Sequence, residues 1–344
     1  MELLILLDYK NIFGLKYDSS PYRSGLDKRK IAGYFLEHGI EVTYMSFYDI
    51  DFNKNWENKI VLYTSSEDAN LLYKSYIEDV VYGLELAGAV VIPGFKYLRA
   101  HHNKVFMEMI RNKRLGSKSG LSSLCFGTLE EVINALEKDL IKFPCVVKRA
   151  AGAMSSGVGK ADNASELLKE VKKASSSFEF RHYIHDRIRK LIHKGYIRES
   201  RYRNKFIVQP MIENLVNDWK ILIFGDQLYS LKRYVRKGDF RASGSHVNYK
   251  AGSKSELSDE TMDFAWSLYR QLDVPMISMD IAYDGNKNYL FEFQAIYFGT
   301  STHSISKDYY VKEGENWKIC EKSGDIESSY VHGVVMFLRH HNLL

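Results

Sequence analysis

Short apolar runs alternate with helix-spaced apolar positions through the N-terminal part of the chain. Residues 2–7 predict a buried strand. Asp27 predicts a helix cap, with the helix running through His38 and ended by Gly39, and Ile40 to Phe47 predicts a second strand. Lys59 to Tyr63 predicts a third. A helix is expected from Ser65 or Ser66, with Leu72, Tyr76, Val80 and Leu84 on its apolar face and Gly88 at its end. Ala89 to Ile92 is a fourth strand, stopped by Pro93-Gly94. Strands alternating with helices imply a parallel sheet covered by helices. No G-x-G-x-x-G turn occurs in this unit, residues 1–98, so nothing marks a dinucleotide site.

Further along, helices are expected over Asn103 to Lys113, Leu129 to Leu140 (opened by Thr128) and from a Ser165 cap to Ala174. A Gly/Ser-rich turn spans Gly116 to Ser123, and Phe143 to Arg149 is a strand. Phe206 to Pro210, Trp219 to Phe224 and Gln227 to Tyr234 also read as strands. Asp259 to Leu272 and Ser328 to His341 read as helices, the latter with Tyr330, Val334, Val335 and Leu338 on its apolar face.

The most informative pattern is a hairpin, Met276 to Tyr283 and Asn288 to Gln294, around the turn-forming Asp284-Gly285-Asn286-Lys287. With Gly285 to Lys287 as the loop, Asp280 faces Glu292 and Ser278 faces Gln294. The same register pairs Met279 with Phe293, Ile281 with Phe291 and Tyr283 with Tyr289. One face is then apolar and the other carries oxygen ligands; a one-residue slip would mix them. Hard oxygen donors on a rigid sheet suit Mg²⁺, the alternative being a solvated edge hairpin.

Composition adds limits. With 344 residues the chain can bury two or three cores, and 26% charged residues is ordinary for a folded protein. Cys125, Cys145 and Cys320 are few and far apart, which fits a reducing compartment, and cytoplasmic localisation is expected. Leu3 to Leu7 is too short for a signal sequence, and no segment has the length of a membrane span. The net charge is +5, yet residues 178–205 alone hold nine Arg or Lys against three acidic residues. Ile184, Ile188, Leu191 and Ile192 follow helical spacing there, predicting that one face packs and the other stays charged. This segment reads either as a basic lid for an acidic substrate or as a solvated insertion. Nucleic acid is disfavoured, no aromatic stacking platform being evident among the charges.

Phe143 to Lys148 is a strand ending on a lysine, and Ala150 to Gly159 is a loop of nearly all small side chains. Such a loop lets backbone N–H groups approach phosphate oxygens beside a fixed positive charge. It is no Walker loop, since alanine follows Gly159-Lys160. Lys104, Lys148, Gln209-Pro-Met-Ile212, Asp218-Trp-Lys220, Arg233, Gly238-Asp-Phe-Arg241, Asp280 and Glu292-Phe-Gln294 follow in an order that resembles the ATP-grasp superfamily, over residues 95–300. The spacing is similar to that of its carboxylate–amine ligases, including those that add glutamate to a ribosomal protein.

The resemblance implies an α/β fold of the ATP-grasp kind: an N-terminal parallel α/β domain (1–98) and two α+β subdomains (99–208 and 209–344) that clasp ATP. It implies that Lys104 and Lys148 contact the ATP phosphates, with Ser155, Ser156 and Gly157 in the loop folded over them. Pro210 and Met211 would form the adenine hinge, through the Pro210 carbonyl and the Met211 N–H. Asp218 would bind ribose; Lys220, Arg233 and Arg241 would hold the γ-phosphate and the acyl-phosphate made from it. Asp280, Glu292 and Gln294 would bind Mg²⁺. Gln294 and Ser243 stand where these ligases usually have Asn, and Lys220 where they usually have Arg, which loses bidentate phosphate binding.

Three functions remain open on these residues: a ligase joining a carboxylate (amino acid, peptide end or sugar acid) to an amine, a small-molecule kinase, or a nucleotide-binding module without turnover. Oligomeric state is open, a dimer being compatible. His101-His102 would share a helix and point apart, with no third metal ligand evident. His303 either touches a substrate or ends a loop, the loop being favoured.

Overall fold

The computed structural model describes residues 1–152, 157–213, 215, 217–234 and 249–344. It forms two compact units, one made of Met1–His101 with Leu215–Leu344, the other of His102–Asn214.

The first unit begins with strands β1 (Glu2–Leu7), β2 (Glu41–Ser46), β3 (Ile60–Tyr63) and β4 (Val90–Ile92), paired in parallel in the order β2-β1-β3-β4. Helix α1 (Lys28–Glu37) is capped by Asp27, whose side chain accepts from the Arg29 and Lys30 amides. Helices α2 (Leu72–Leu86) and α3 (Phe95–Ala100) follow. Leu3, Ile5 and Leu7 of β1 pack with Ile31 and Phe35 of α1, whereas Leu6 joins the cluster containing Ile77, Val81 and Leu84 of α2. A strand buried on both faces accounts for the unbroken apolar run at residues 2–7.

Helix α2 starts later than Ser65 or Ser66. Asp68 accepts from the Tyr73 and Lys74 amides, and Asn70 and Leu71 take positive φ before the helix settles. Leu72 and Tyr76 are exposed, so its buried stripe is Ile77, Val80, Val81 and Leu84.

The second unit holds α4 (Lys104–Arg114), β5 (Leu124–Phe126), α5 (Leu129–Glu137), β6 (Cys145–Arg149), β7 (Val158–Ala161), α6 (Ala164–Ser175), α7 (Phe180–Ile192) and β8 (Phe206–Pro210). Its sheet is antiparallel, in the order β5-β8-β6-β7. Thr128 and Glu131 make a reciprocal capping box on α5. Asn163, not Ser165, caps α6. Cys145, Val147, Phe206 and Val208 face Val132 of α5 and Leu167 and Val171 of α6.

The chain returns to the first unit with β9 (Asn217–Phe224), β10 (Gln227–Tyr234), β11 (Tyr249–Ala251), α8 (Asp259–Leu272), β12 (Met276–Tyr283), β13 (Asn288–Gln294), α9 (Ser301–Ile305), β14 (Asp308–Glu313), β15 (Asn316–Glu321) and α10 (Ile326–His340). The strands form a second sheet, β13-β12-β9-β10-β14-β15, with β11 beside β10. Val331, Val334, Val335 and Leu338 of α10 join the core that holds α1, β1, Leu222 and Phe224.

Gly333 of α10 lies against backbone: a Cβ there would meet Pro275 O at 2.7 Å and Gly225 N at 3.1 Å. Neither atom is a flexible side-chain end. Gly333→Ala should therefore destabilise the protein by about 1–3 kcal/mol, read as a lower urea midpoint at unchanged m-value.

Candidate functional site

In the first unit, Asp218 and Lys220 sit on β9, Arg233 on β10, Asp280 on β12, and Glu292 and Gln294 on β13. The registers Asp218↔Arg233, Lys220↔Asp280, Asp280↔Glu292 and Ser278↔Gln294 place all six on one face. The expected hairpin register holds for Ser278, Met279 and Asp280. Beyond them a β-bulge sets in: Ile281 pairs with Leu290 and Tyr283 with Asn288, not with Phe291 and Tyr289. The turn is four residues long, and Asp284 ties it by accepting from the Asn286 and Lys287 amides. Phe291 is the extra residue that the bulge absorbs.

Arg233 is buried and donates through Nε and Nη2 to the two Asp218 oxygens at 2.7 and 2.8 Å. Its Nη2 also lies 3.1 Å from Asp280 Oδ1, as does Lys220 Nζ. Burial pushes both carboxyls toward the neutral form. At Asp280 the charges of Arg233 and Lys220 outweigh burial and hold the carboxyl well below the usual range. At Asp218 burial outweighs Arg233, and the carboxyl is raised. Burial would lower the Arg233 pKa, but Asp280 and Asp218 more than offset it and raise it. Asp218, expected at the ribose, thus has both oxygens engaged by Arg233.

The donor set suits a hard divalent cation. Asp280 and Glu292 offer carboxylate oxygens and Gln294 a carboxamide oxygen, and the neighbouring Ser278 Oγ is buried with no hydrogen-bond partner among the described residues.

In the second unit Lys148 is half-buried on β6, on the face opposite the α5–α6 core, paired in register with Val158 and Ile207. Lys104 opens α4; its amide donates to Ala150 O at 2.9 Å and its Nζ to Gly152 O at 3.2 Å. Lys104 is thus bonded to the loop leaving β6, and Lys148 stands on the strand just before it. Gly157 has φ of 74°, a left-handed backbone that favours glycine, and a Cβ there would also push on the Arg149 side chain, whose Cδ would lie 2.7 Å away. Pro210 ends β8, and the Met211 amide donates to Pro144 O at 3.0 Å. An adenine bond from Met211 would have to replace that contact. Ser155, Ser156, Arg241 and Ser243 lie outside the described residues.

No family model matches the chain, and no curated protein matches it in sequence. Solved structures do. The D-cycloserine synthetase DcsG is similar at a TM-score of 0.53 and 10% identity, over 98% of this chain and 100% of that one. The VanG D-Ala:D-Ser ligase from Enterococcus faecalis is similar at 0.52 and 11% identity, over 98% and 99%. A RimK domain protein, ATP-grasp, from Sphaerobacter thermophilus is similar at 0.50 and 10% identity, over 98% and 99%. The chain has the ATP-grasp fold.

Within this fold, two histidines differ from their sequence reading. Helix α3 ends at Ala100 and His102 has φ of 54°, so His101 and His102 do not share a helix. His101 is buried, with Nδ1 2.8 Å from Ser65 Oγ and Nε2 3.8 Å from Glu67 Oε1, a neighbour that sequence spacing does not reveal. His303 does not end a loop: it is buried on α9, its Nε2 3.2 Å from Ser329 Oγ, and burial lowers its pKa to about 4.

Because the Asp280 pKa is depressed on folding, its contribution to stability is present above its ordinary pKa of 3.8 and lost as pH falls through the lower folded value. Asp280→Asn should therefore cost stability at neutral pH, and its deficit against wild type should shrink below about pH 4. Urea midpoints across that range give the comparison; a deficit constant with pH would show that the Asp280 charge is not what holds Arg233 and Lys220.

Proposed function

We propose that the protein is an ATP-dependent carboxylate–amine ligase working through an acyl-phosphate. The observation that carries this reading is the single sheet face on which Lys220, Arg233, Asp280, Glu292 and Gln294 converge. A carboxylate oxygen bonds to the γ-phosphorus as the bond to the ADP oxygen breaks. The amine nitrogen then attacks the acyl carbon, inorganic phosphate leaves with the electron pair, and the amine gives up one proton. Lys220 and Arg233, joined by Arg241, neutralise charge on the transferred phosphoryl group. Lys220 acts as a point charge and Arg233 as a fork already oriented by Asp218. Mg²⁺, held by Asp280, Glu292 and Gln294, would supply further neutralisation of phosphate oxygens. Lys104, Lys148, Ser155, Ser156 and Gly157 serve the nucleotide phosphates, and Pro210 and Met211 the adenine. The acceptors are an amine and a carboxylate of the amino-acid, peptide or sugar-acid class.

Release of ADP and inorganic phosphate, measured over carboxylates crossed with amines, tests the reaction. Equal amounts of both products, formed only when carboxylate and amine are present together, are expected. ADP without free phosphate would make the protein a kinase, and ATP binding without turnover a binding module.

Glu292→Ala should abolish turnover at an unchanged melting temperature; wild-type rates at limiting Mg²⁺ would remove Glu292 from the metal set. Lys148→Ala should weaken ATP binding about tenfold or more while leaving nucleotide-free melting little changed. Titration calorimetry reads the difference.

A further inference from the structure

Helix α7 of the second unit is packed the opposite way from its apolar pattern. Asp186 is its buried residue, accepting from Tyr196 OH at 2.9 Å, from Arg198 Nε at 2.8 Å and from the Glu199 amide at 3.2 Å. Phe180, Ile184, Ile188, Leu191 and Ile192 follow helical spacing along one stripe, and that stripe faces outward. Ile184 is 40% exposed, Ile188 44%, Ile192 68% and Leu191 86%. The expectation that this face packs is thereby corrected. Arg181 and Arg189 border the stripe on one side, Arg187 and Lys190 on the other.

Of the aromatic rings in the segment, those of Tyr183 and Phe178 are covered by arginines. The Arg187, Arg198 and Arg201 guanidinium carbons lie 5.1, 5.2 and 5.0 Å from the Tyr183 ring centre, and that of Arg201 lies 4.9 Å from the Phe178 centre. These rings are cation–π partners and not open faces for stacking bases.

We propose that α7 is a membrane-contact element that lies in the headgroup plane of an anionic phospholipid bilayer. An apolar stripe edged by Arg and Lys on both sides is the pattern of a helix that buries its stripe at the acyl boundary and leaves its cations among the headgroups. Charge selects the occupant. Residues 178–205 carry a net +6 in a chain whose total is +5, so the whole positive excess of the protein lies in this segment. A second copy docking stripe to stripe would set two such charges face to face, whereas an anionic leaflet attracts them. The stripe stands on the outer side of a single helix, a convex ridge suited to a deformable surface. Contact is peripheral, since among the described residues no helix is long and apolar enough to cross a membrane.

Co-sedimentation of the full chain with vesicles of mixed phosphatidylglycerol and phosphatidylcholine, beside vesicles of phosphatidylcholine alone, tests this. Binding to the anionic vesicles alone is expected, and it should weaken as salt shortens the Debye length below about 10 Å. The double variant L191S/I192S should bind anionic vesicles about tenfold or more weakly at an unchanged melting temperature, because both side chains are already in water. Wild-type binding by that variant would reduce the contact to unspecific charge attraction and overturn the proposal. So would failure of the wild-type chain to bind anionic vesicles, including the case in which it instead binds an acidic polypeptide such as polyglutamate.

Discussion

Arg233 is a guanidinium taken out of water and held by carboxylates from two different strands. A buried charge with one partner removed costs about 3–5 kcal/mol, so the arrangement is stable only as a set. Asp218 supplies two parallel bonds and fixes the plane of the fork; Asp280 reaches the same guanidinium from β12 while meeting Lys220 of β9. Strands β9, β10 and β12 are thereby fixed in register by charge as well as by their ladders. The proposed chemistry depends on this. A phosphoryl group arriving on this face would meet cations that are already oriented, so little reorganisation remains at the moment of transfer. Asp218, bonded to Arg233 through both oxygens, orients that guanidinium on the face.

Much of this was legible in the sequence, for identifiable reasons. The period-two pattern of Ser278, Asp280, Glu292 and Gln294 against Met279 and Phe293 specifies one register, because any slip would bury carboxylates among apolar side chains. The bulge at Phe291 was not legible, since phenylalanine suits either face, and a four-residue turn differs from a three-residue one only in how Asp284 is used. Helix α2 shows a similar limit. Ser65 and Ser66 are good capping residues, but Ser65 is engaged by His101, and Asp68 caps the helix from a position further on. Helix α7 shows a deeper one. Apolar spacing identifies a stripe but not the side that packs, and here a ring of polar partners around Asp186 turns the stripe outward.

The first unit is closed by the two ends of the chain, and one carboxylate joins them. Glu327, in the first turn of α10, is fully buried; it accepts from Lys16 Nζ at 2.9 Å and from the Asp27 amide at 2.8 Å. Asp27 in turn caps α1, and α1 packs on α10. The parallel sheet and the sheet that bears the charged face therefore share one core through α10, with Gly333 allowing the helix to touch the β9–β10 turn. This explains why residues 1–101 and 215–344 form one unit although they are separated in sequence. Leu222 and Phe224, on the same face of β9 as Asp218 and Lys220, belong to that shared core, so the packing of α10 borders the charged face.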